Sequence, residues 1–208
     1  MPTTLSLFDS LVSLQKFGIP TAPFEMVSKT DRLETATQKT GFPCVLKAIS
    51  PLAIHKTEQK AVRLNISSLE HALHAFNELQ RIPGFEGALV QSQIEGTELL
   101  IGSKNDIQFG PTLVFGLGGV LVELLKDISI RIPPITAKDA LQMVREIKHQ
   151  QVLQGFRGKP KVNEEKLVEI LLLASKMIEK TKPLELDINP LMANEKGIWA
   201  VDARIVLK

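Results

Sequence analysis

The chain has 208 residues, 44% hydrophobic and 23% charged, with 25 Lys and Arg against 23 Asp and Glu for a net charge of +2. This balance excludes a disordered chain, which would be poor in apolar residues, and the basic residues form no stripe of the kind that binds nucleic acid. No apolar run reaches the roughly 20 residues of a bilayer span, the first ten residues lack the regions of a secretory leader, and the expectation is a cytoplasmic protein of one or two domains.

Leu7, Leu11, Leu14 and Phe17 recur at helical spacing and predict an amphipathic helix that stops at Gly18-Ile19-Pro20. Phe24–Val27 reads as a short strand. Ser28 and Asp31 have the spacing of a capping box for a helix running to about Lys39, closed by Gly41-Phe42-Pro43. Cys44–Ile49 reads as a buried strand and Ala61–Ile66 as a half-buried one. Ser67 or Ser68 caps a helix to about Gln80, broken by Pro83-Gly84. Strands then cluster at Ala88–Gln93, Glu98–Gly102 and Thr112–Phe115. Helices are predicted over Ala137–Lys148, capped by Thr136, and Glu164–Lys180, capped by Asn163. Gly155–Asn163 is the one long candidate linker. Strands at Leu184–Ile188 and Ile198–Leu207 close a chain of mixed α and β class without internal repeats. The single cysteine, Cys44, lies in an apolar run and reads as a core residue.

Three constellations could carry chemistry, the first joining Lys47 with His55. Lys47 ends a buried strand, where it either snorkels to solvent or serves as a flexible point charge for phosphate. His55, in a probable loop beside Lys56, is either solvated or a nucleophile for phosphoryl transfer. The run Phe115-Gly116-Leu117-Gly118-Gly119 permits positive φ and close approach to an anion, or is only a tight turn; Leu121 stands where a dinucleotide fingerprint needs glycine. Glu185, Asp187 and Asn189 share one face of a strand, with Asp202 downstream. Such hard oxygen donors suit Mg²⁺, unless they are merely the solvent face of an edge strand.

The order of Gly18-Ile19-Pro20, Val45-Leu46-Lys47, Ser50-Pro51, His55-Lys56-Thr57, Phe109-Gly110-Pro111, the glycine run and Glu185-Leu186-Asp187-Ile188-Asn189-Pro190 resembles the ATP-grasp subunit or domain of NDP-forming acyl-CoA synthetases. The nearest type is similar to the beta subunit of ADP-forming acetyl-CoA synthetase. The resemblance implies an α+β ATP-grasp fold whose two lobes hold ATP/ADP between them. Residues 21–92 would form the smaller lobe. Residues 1–20 and 93–208 would form the larger, with the Mg-nucleotide site and the partner interface.

By the same resemblance, His55 is a phosphohistidine and Asp187 an acid that contacts the partner's phosphohistidine. Lys47 binds nucleotide phosphate. Gln91, Ser92, Gln93 and Ile94 form a hinge whose backbone reads adenine, followed by the ribose acid Glu98. Arg131 faces phosphate, Gly118 and Gly119 turn N–H groups towards it, and Asn189 and Asp202 hold Mg²⁺. The partner would be a CoA-binding alpha subunit or domain, with acyl-CoA and an organic acid at the shared site. Two other readings share the nucleotide residues. One is a carboxylate–amine ligase that dispenses with His55. The other is a regulatory nucleotide-binding module, motivated by Lys60-Ala61 where the family usually has two glycines.

Overall fold

The computed structural model describes residues 2–52, 61–119, 127–155 and 161–208. In chain order its elements are β1 (Thr3–Thr4), α1 (Leu7–Lys16), β2 (Phe24–Val27), α2 (Leu33–Thr40), β3 (Cys44–Ile49), β4 (Val62–Ile66) and α3 (Leu69–Leu79). There follow β5 (Gly87–Ser92), β6 (Thr97–Asp106), β7 (Gly110–Pro111), β8 (Leu113–Leu117), β9 (Ile128–Arg131) and α4 (Ala137–Glu146). The last are α5 (Glu164–Thr181), β10 (Glu185–Ala193), β11 (Ile198–Ala200) and β12 (Arg204–Leu207). They form two compact units, one of Ala22–Ile94 and one of Met1–Thr21 with Glu95–Lys208.

The smaller unit is an antiparallel sheet in the order β2-β5-β3-β4. One face packs on α2 and α3 through Leu33, Leu46, Phe76, Leu79 and Val90, all buried. Burial of each such side chain stabilises the unit by about 1.5–3 kcal/mol relative to exposure. Cys44 belongs to this core. Ser68 caps α3, its Oγ accepting the His71 N–H at 3.2 Å. The capping box expected at Ser28 and Asp31 does not form. A 3₁₀ turn over Thr30–Arg32 comes first, and α2 then starts from helical Arg32 without a side-chain cap.

The larger unit is an eight-stranded sheet in the order β1-β12-β10-β6-β8-β9, with β11 on β10 and β7 on β6. Its named strands all pair antiparallel. Alternation along the strands sends Leu99, Ile101, Leu113, Phe115, Leu186 and Ile188 into a core. The helices α4 and α5 pack on these strands. Both carry the predicted caps: Thr136 forms a full capping box with Asp139, and Asn163 Oδ1 accepts the Lys166 N–H at 3.0 Å.

Several boundaries differ from the sequence reading. The strand placed at 112–115 runs on into the glycine run, and that at 198–207 is two strands. The strand placed at 184–188 continues through Pro190 to Ala193. Proline lacks a ladder donor, but the β10–β6 register shifts between Ile188 and Leu191, so Pro190 sits at an irregularity. Strand β9 was not expected at all. Its isoleucines Ile128 and Ile130 are exposed, while Ser129 points inward and donates to the Met143 carbonyl at 3.0 Å. Among the described residues no helix is long and apolar enough to cross a membrane.

Candidate functional site

In the smaller unit, Lys47 pairs with Leu89 and Val45 with Gln91 on neighbouring strands. Period-two alternation therefore puts Lys47 and Gln91 on one face of the sheet, diagonal to each other and opposite the core cluster. Lys47 is 8% exposed and Gln91 1%. The Gln91 Nε2 has no partner among the described residues. A buried amide donor left without an acceptor costs about 1–3 kcal/mol.

The residues after Gln91 are held by their own unit. Ser92 donates its N–H to the Pro23 carbonyl at 2.9 Å and its Oγ to the Thr40 carbonyl at 2.5 Å. Gln93 donates its N–H to the Pro43 carbonyl at 3.1 Å. Its side-chain amide engages Asn65 twice, accepting from the backbone N–H and donating to Oδ1, each at 2.7 Å. The Ser92 and Gln93 N–H groups are thus already spent, and Gln91 lies inside the β5 ladder, paired with Val45. Among the described residues the Ile94 N–H has no such carbonyl.

In the larger unit, Asp187 pairs with Arg204 and Leu191 with Ala200 across β10. The two pairings are in one register, which sets Asn189 across from Asp202. The Val201 N–H donates to the Pro190 carbonyl at 3.3 Å beside them. Both Asn189 and Asp202 are half-buried. The Gly119 N–H donates to Asn189 Oδ1 at 3.1 Å, tying the glycine run to the strand, and the Gly118 N–H donates to the Glu98 carbonyl at 2.8 Å. This approach requires glycine. A Cβ on Gly118 would overlap the Leu99 backbone, and Gly119 has φ +61° with the Glu98 carboxylate where a Cβ would lie.

The larger unit thus gathers Glu98, Gly118, Gly119, Asn189 and Asp202, with Asp187 on the same face as Asn189. It does not bring Arg131 to them. Arg131 pairs with Leu113 at the far end of β8, about 13 Å of strand from Leu117. Its guanidinium donates to Glu146 Oε1 at 2.5 Å, a bond that raises the arginine's pKa further and holds Glu146 below the usual carboxylate range. The relay position His55 lies outside the described residues.

Asn189 and Asp202 supply two oxygen donors, and the Gly119 bond fixes the amide's orientation. Among the described residues no group of three or more His, Cys, Asp and Glu could hold a metal by itself. Such a pair fits Mg²⁺, which takes one or two protein oxygens and completes its shell with water and phosphate.

Sequence reasoning missed two pairs. The Asn65–Gln93 clamp joins residues far apart in the chain. Asp127, 3% exposed at its side chain, accepts the N–H groups of Lys148 and His149 at 2.9 Å each and bonds His149 Nδ1 at 2.8 Å. Burial pushes the Asp127 carboxyl up, but these bonds outweigh it and hold the group below its ordinary range.

The family model for an ATP-grasp domain matches residues 2–207. The acetate–CoA ligase (ADP-forming) I subunit beta of Pyrococcus furiosus is 38% identical over 203 residues, 93% of this chain and 88% of that one. Acetate–CoA ligase (ADP-forming) I of Archaeoglobus fulgidus is 38% identical over 207 residues; the match covers 96% of this chain but spans only 30% of that longer protein. The acetyl-coenzyme A synthetase 1 of Korarchaeum cryptofilum, solved with coenzyme A and Ca-AMPCP, superposes with TM-score 0.91 at 37% identity, covering 99% of this chain and 93% of that one. The same enzyme solved with coenzyme A and Mg-AMPPCP, its phosphohistidine segment pointing towards the nucleotide site, gives TM-score 0.87 at 35% identity with the same coverage.

Proposed function

The chain belongs to the ATP-grasp domain family, and on that premise we propose that it is the nucleotide-binding part of an ADP-forming acyl-CoA synthetase. With a CoA-binding partner subunit or domain it interconverts acyl-CoA, ADP and phosphate with the free acid, CoA and ATP. The relatives from Pyrococcus and Archaeoglobus bear the name of this reaction with acetate.

Phosphoryl transfer asks of a protein chiefly charge neutralisation and positioning. In this reading Lys47 neutralises nucleotide phosphate, Gln91 to Ile94 take the base, and Glu98 takes the ribose. Asn189 and Asp202 hold Mg²⁺, which lowers the charge of the phosphates when bound. Asp187 meets the partner's phosphohistidine, and His55 carries the phosphoryl group. Arg131, which pairs with Glu146, is the phosphate-facing arginine of this reading. The cytoplasm, where CoA and nucleotides are both available, is the proposed compartment.

The observation that carries the reading is the Asn189–Asp202 pair across β10, with Asn189 Oδ1 held by the Gly119 N–H. The test combines the chain with its CoA-binding partner, acetyl-CoA, ADP and phosphate. ATP should form together with free CoA and acetate. A folded, associated pair that makes no ATP from any short-chain acyl-CoA overturns the proposal.

A further inference from the structure

We propose that Asn65 is a positioning residue for the nucleotide base, acting through the side chain of Gln93. The inference rests on the reading of Gln91 to Ile94 as the base-binding segment.

Asn65 has φ +58°, in the left-handed region that Asn enters more readily than most residues. The cause is local. On β3 one residue separates Cys44 from Leu46, while on β4 two residues separate their partners Arg63 and Ile66. The extra residue makes a β-bulge, a feature that re-aims side chains and ends regular pairing. Here it turns both the Asn65 N–H and its Oδ1 towards Gln93, whose amide closes two bonds of 2.7 Å with them.

The clamp falls where the sheet needs it. Strand β5 ends at Ser92, and across Gln93 and Ile94 the backbone has one anchor among the described residues, the Gln93 N–H on Pro43. That one bond does not by itself set the plane of the peptide between Gln93 and Ile94. Two more, made through a planar amide, fix the residue in three places. The groups so positioned are the Gln93 carbonyl and the Ile94 N–H. An acceptor beside a donor is the pattern that the exocyclic amine and ring nitrogen of adenine require. Asn65 touches no reacting atom, so its contribution is to affinity for the base and not to transfer of phosphate.

The variants Gln93→Met, which keeps length but loses both bonds, Asn65→Gly, which keeps the backbone conformation but loses Oδ1, and Asn65→Asp, which keeps both acceptor and conformation, separate this role from a structural one. Titration calorimetry with MgADP should show Kd raised about five- to tenfold by Gln93→Met, less by Asn65→Gly, and restored by Asn65→Asp. Magnesium tripolyphosphate, which has no base, should bind all four proteins alike. Equal MgADP affinity in folded Gln93→Met, or parallel losses for both ligands, overturns the inference. A wild-type chain that binds tripolyphosphate but not MgADP overturns it too, and one that binds neither removes the nucleotide reading beneath it.

Discussion

Replacing Asp127 by Asn tests how much one buried carboxylate holds the corner after α4. The carboxylate accepts two backbone N–H groups at 2.9 Å and meets the His149 ring at 2.8 Å. The amide keeps one acceptor oxygen and turns an NH₂ group towards the other donor. A bond to a charged acceptor is worth about 1.5–3 kcal/mol, and the half-exposed His149 adds little, so the expected loss is about 2–3 kcal/mol at pH 7. For a chain of this size that lowers Tm by about 4–12 °C.

The pH dependence has a fixed sign. Because the folded-state pKa of Asp127 is lowered, its contribution is fully present above the unfolded value of about 3.9 and is lost as pH falls through the folded value. Urea unfolding of wild type and Asp127→Asn from pH 7 downward should show a constant gap that narrows below about pH 4. A gap under about 0.5 kcal/mol at pH 7, or one that widens in acid, would refute the account.

Asn189→Ala removes a proposed Mg²⁺ oxygen and the anchor of Gly119; calorimetry should show MgADP binding weakened at least about tenfold, or 1.4 kcal/mol, with the thermal transition retained. His55→Asn should abolish ATP formation with the CoA-binding partner and the acid-labile phosphate on this chain, while leaving MgADP affinity intact. Cys44 is fully buried and its thiol is pushed up to about 11 by burial, so a disulfide reagent at pH 8 should label it only after unfolding.

Local chemistry was legible wherever neighbours in sequence decide the structure. Thr136 and Asn163 cap the helices that their spacing promised, and the apolar periods of β3 and α3 found the core. The Ser28–Asp31 box failed because a 3₁₀ turn took the residues that it would have capped. Strand β9 escaped notice because its polarity is inverted, with Ser129 satisfied by a helix carbonyl and Ile128 and Ile130 outward. The alternation of Glu185, Asp187 and Asn189 was readable from period two, but only pairing across β10 sets Asp202 opposite Asn189. The Asn65–Gln93 and Asp127–His149 bonds left no mark in the sequence, because each joins residues more than 20 positions apart. Arg131 shows the converse: a motif position alone did not foretell its commitment to Glu146.

The pairing of Thr3 with Leu207 and Thr4 with Val206 has a consequence for synthesis on the ribosome. Residues 22–94 are contiguous and can close their sheet as soon as they emerge. The segment before them cannot. Strand β1 has its partner in β12, and α1, with Leu11 and Leu14 buried, also packs against β12. At translation speeds of about 5–20 residues per second, the stretch from Glu95 to Leu207 takes about 6–23 s to appear. For that interval the apolar face of an amphipathic helix waits uncovered beside a nascent chain whose middle has already folded, and it is the segment on which a chaperone working during translation would act.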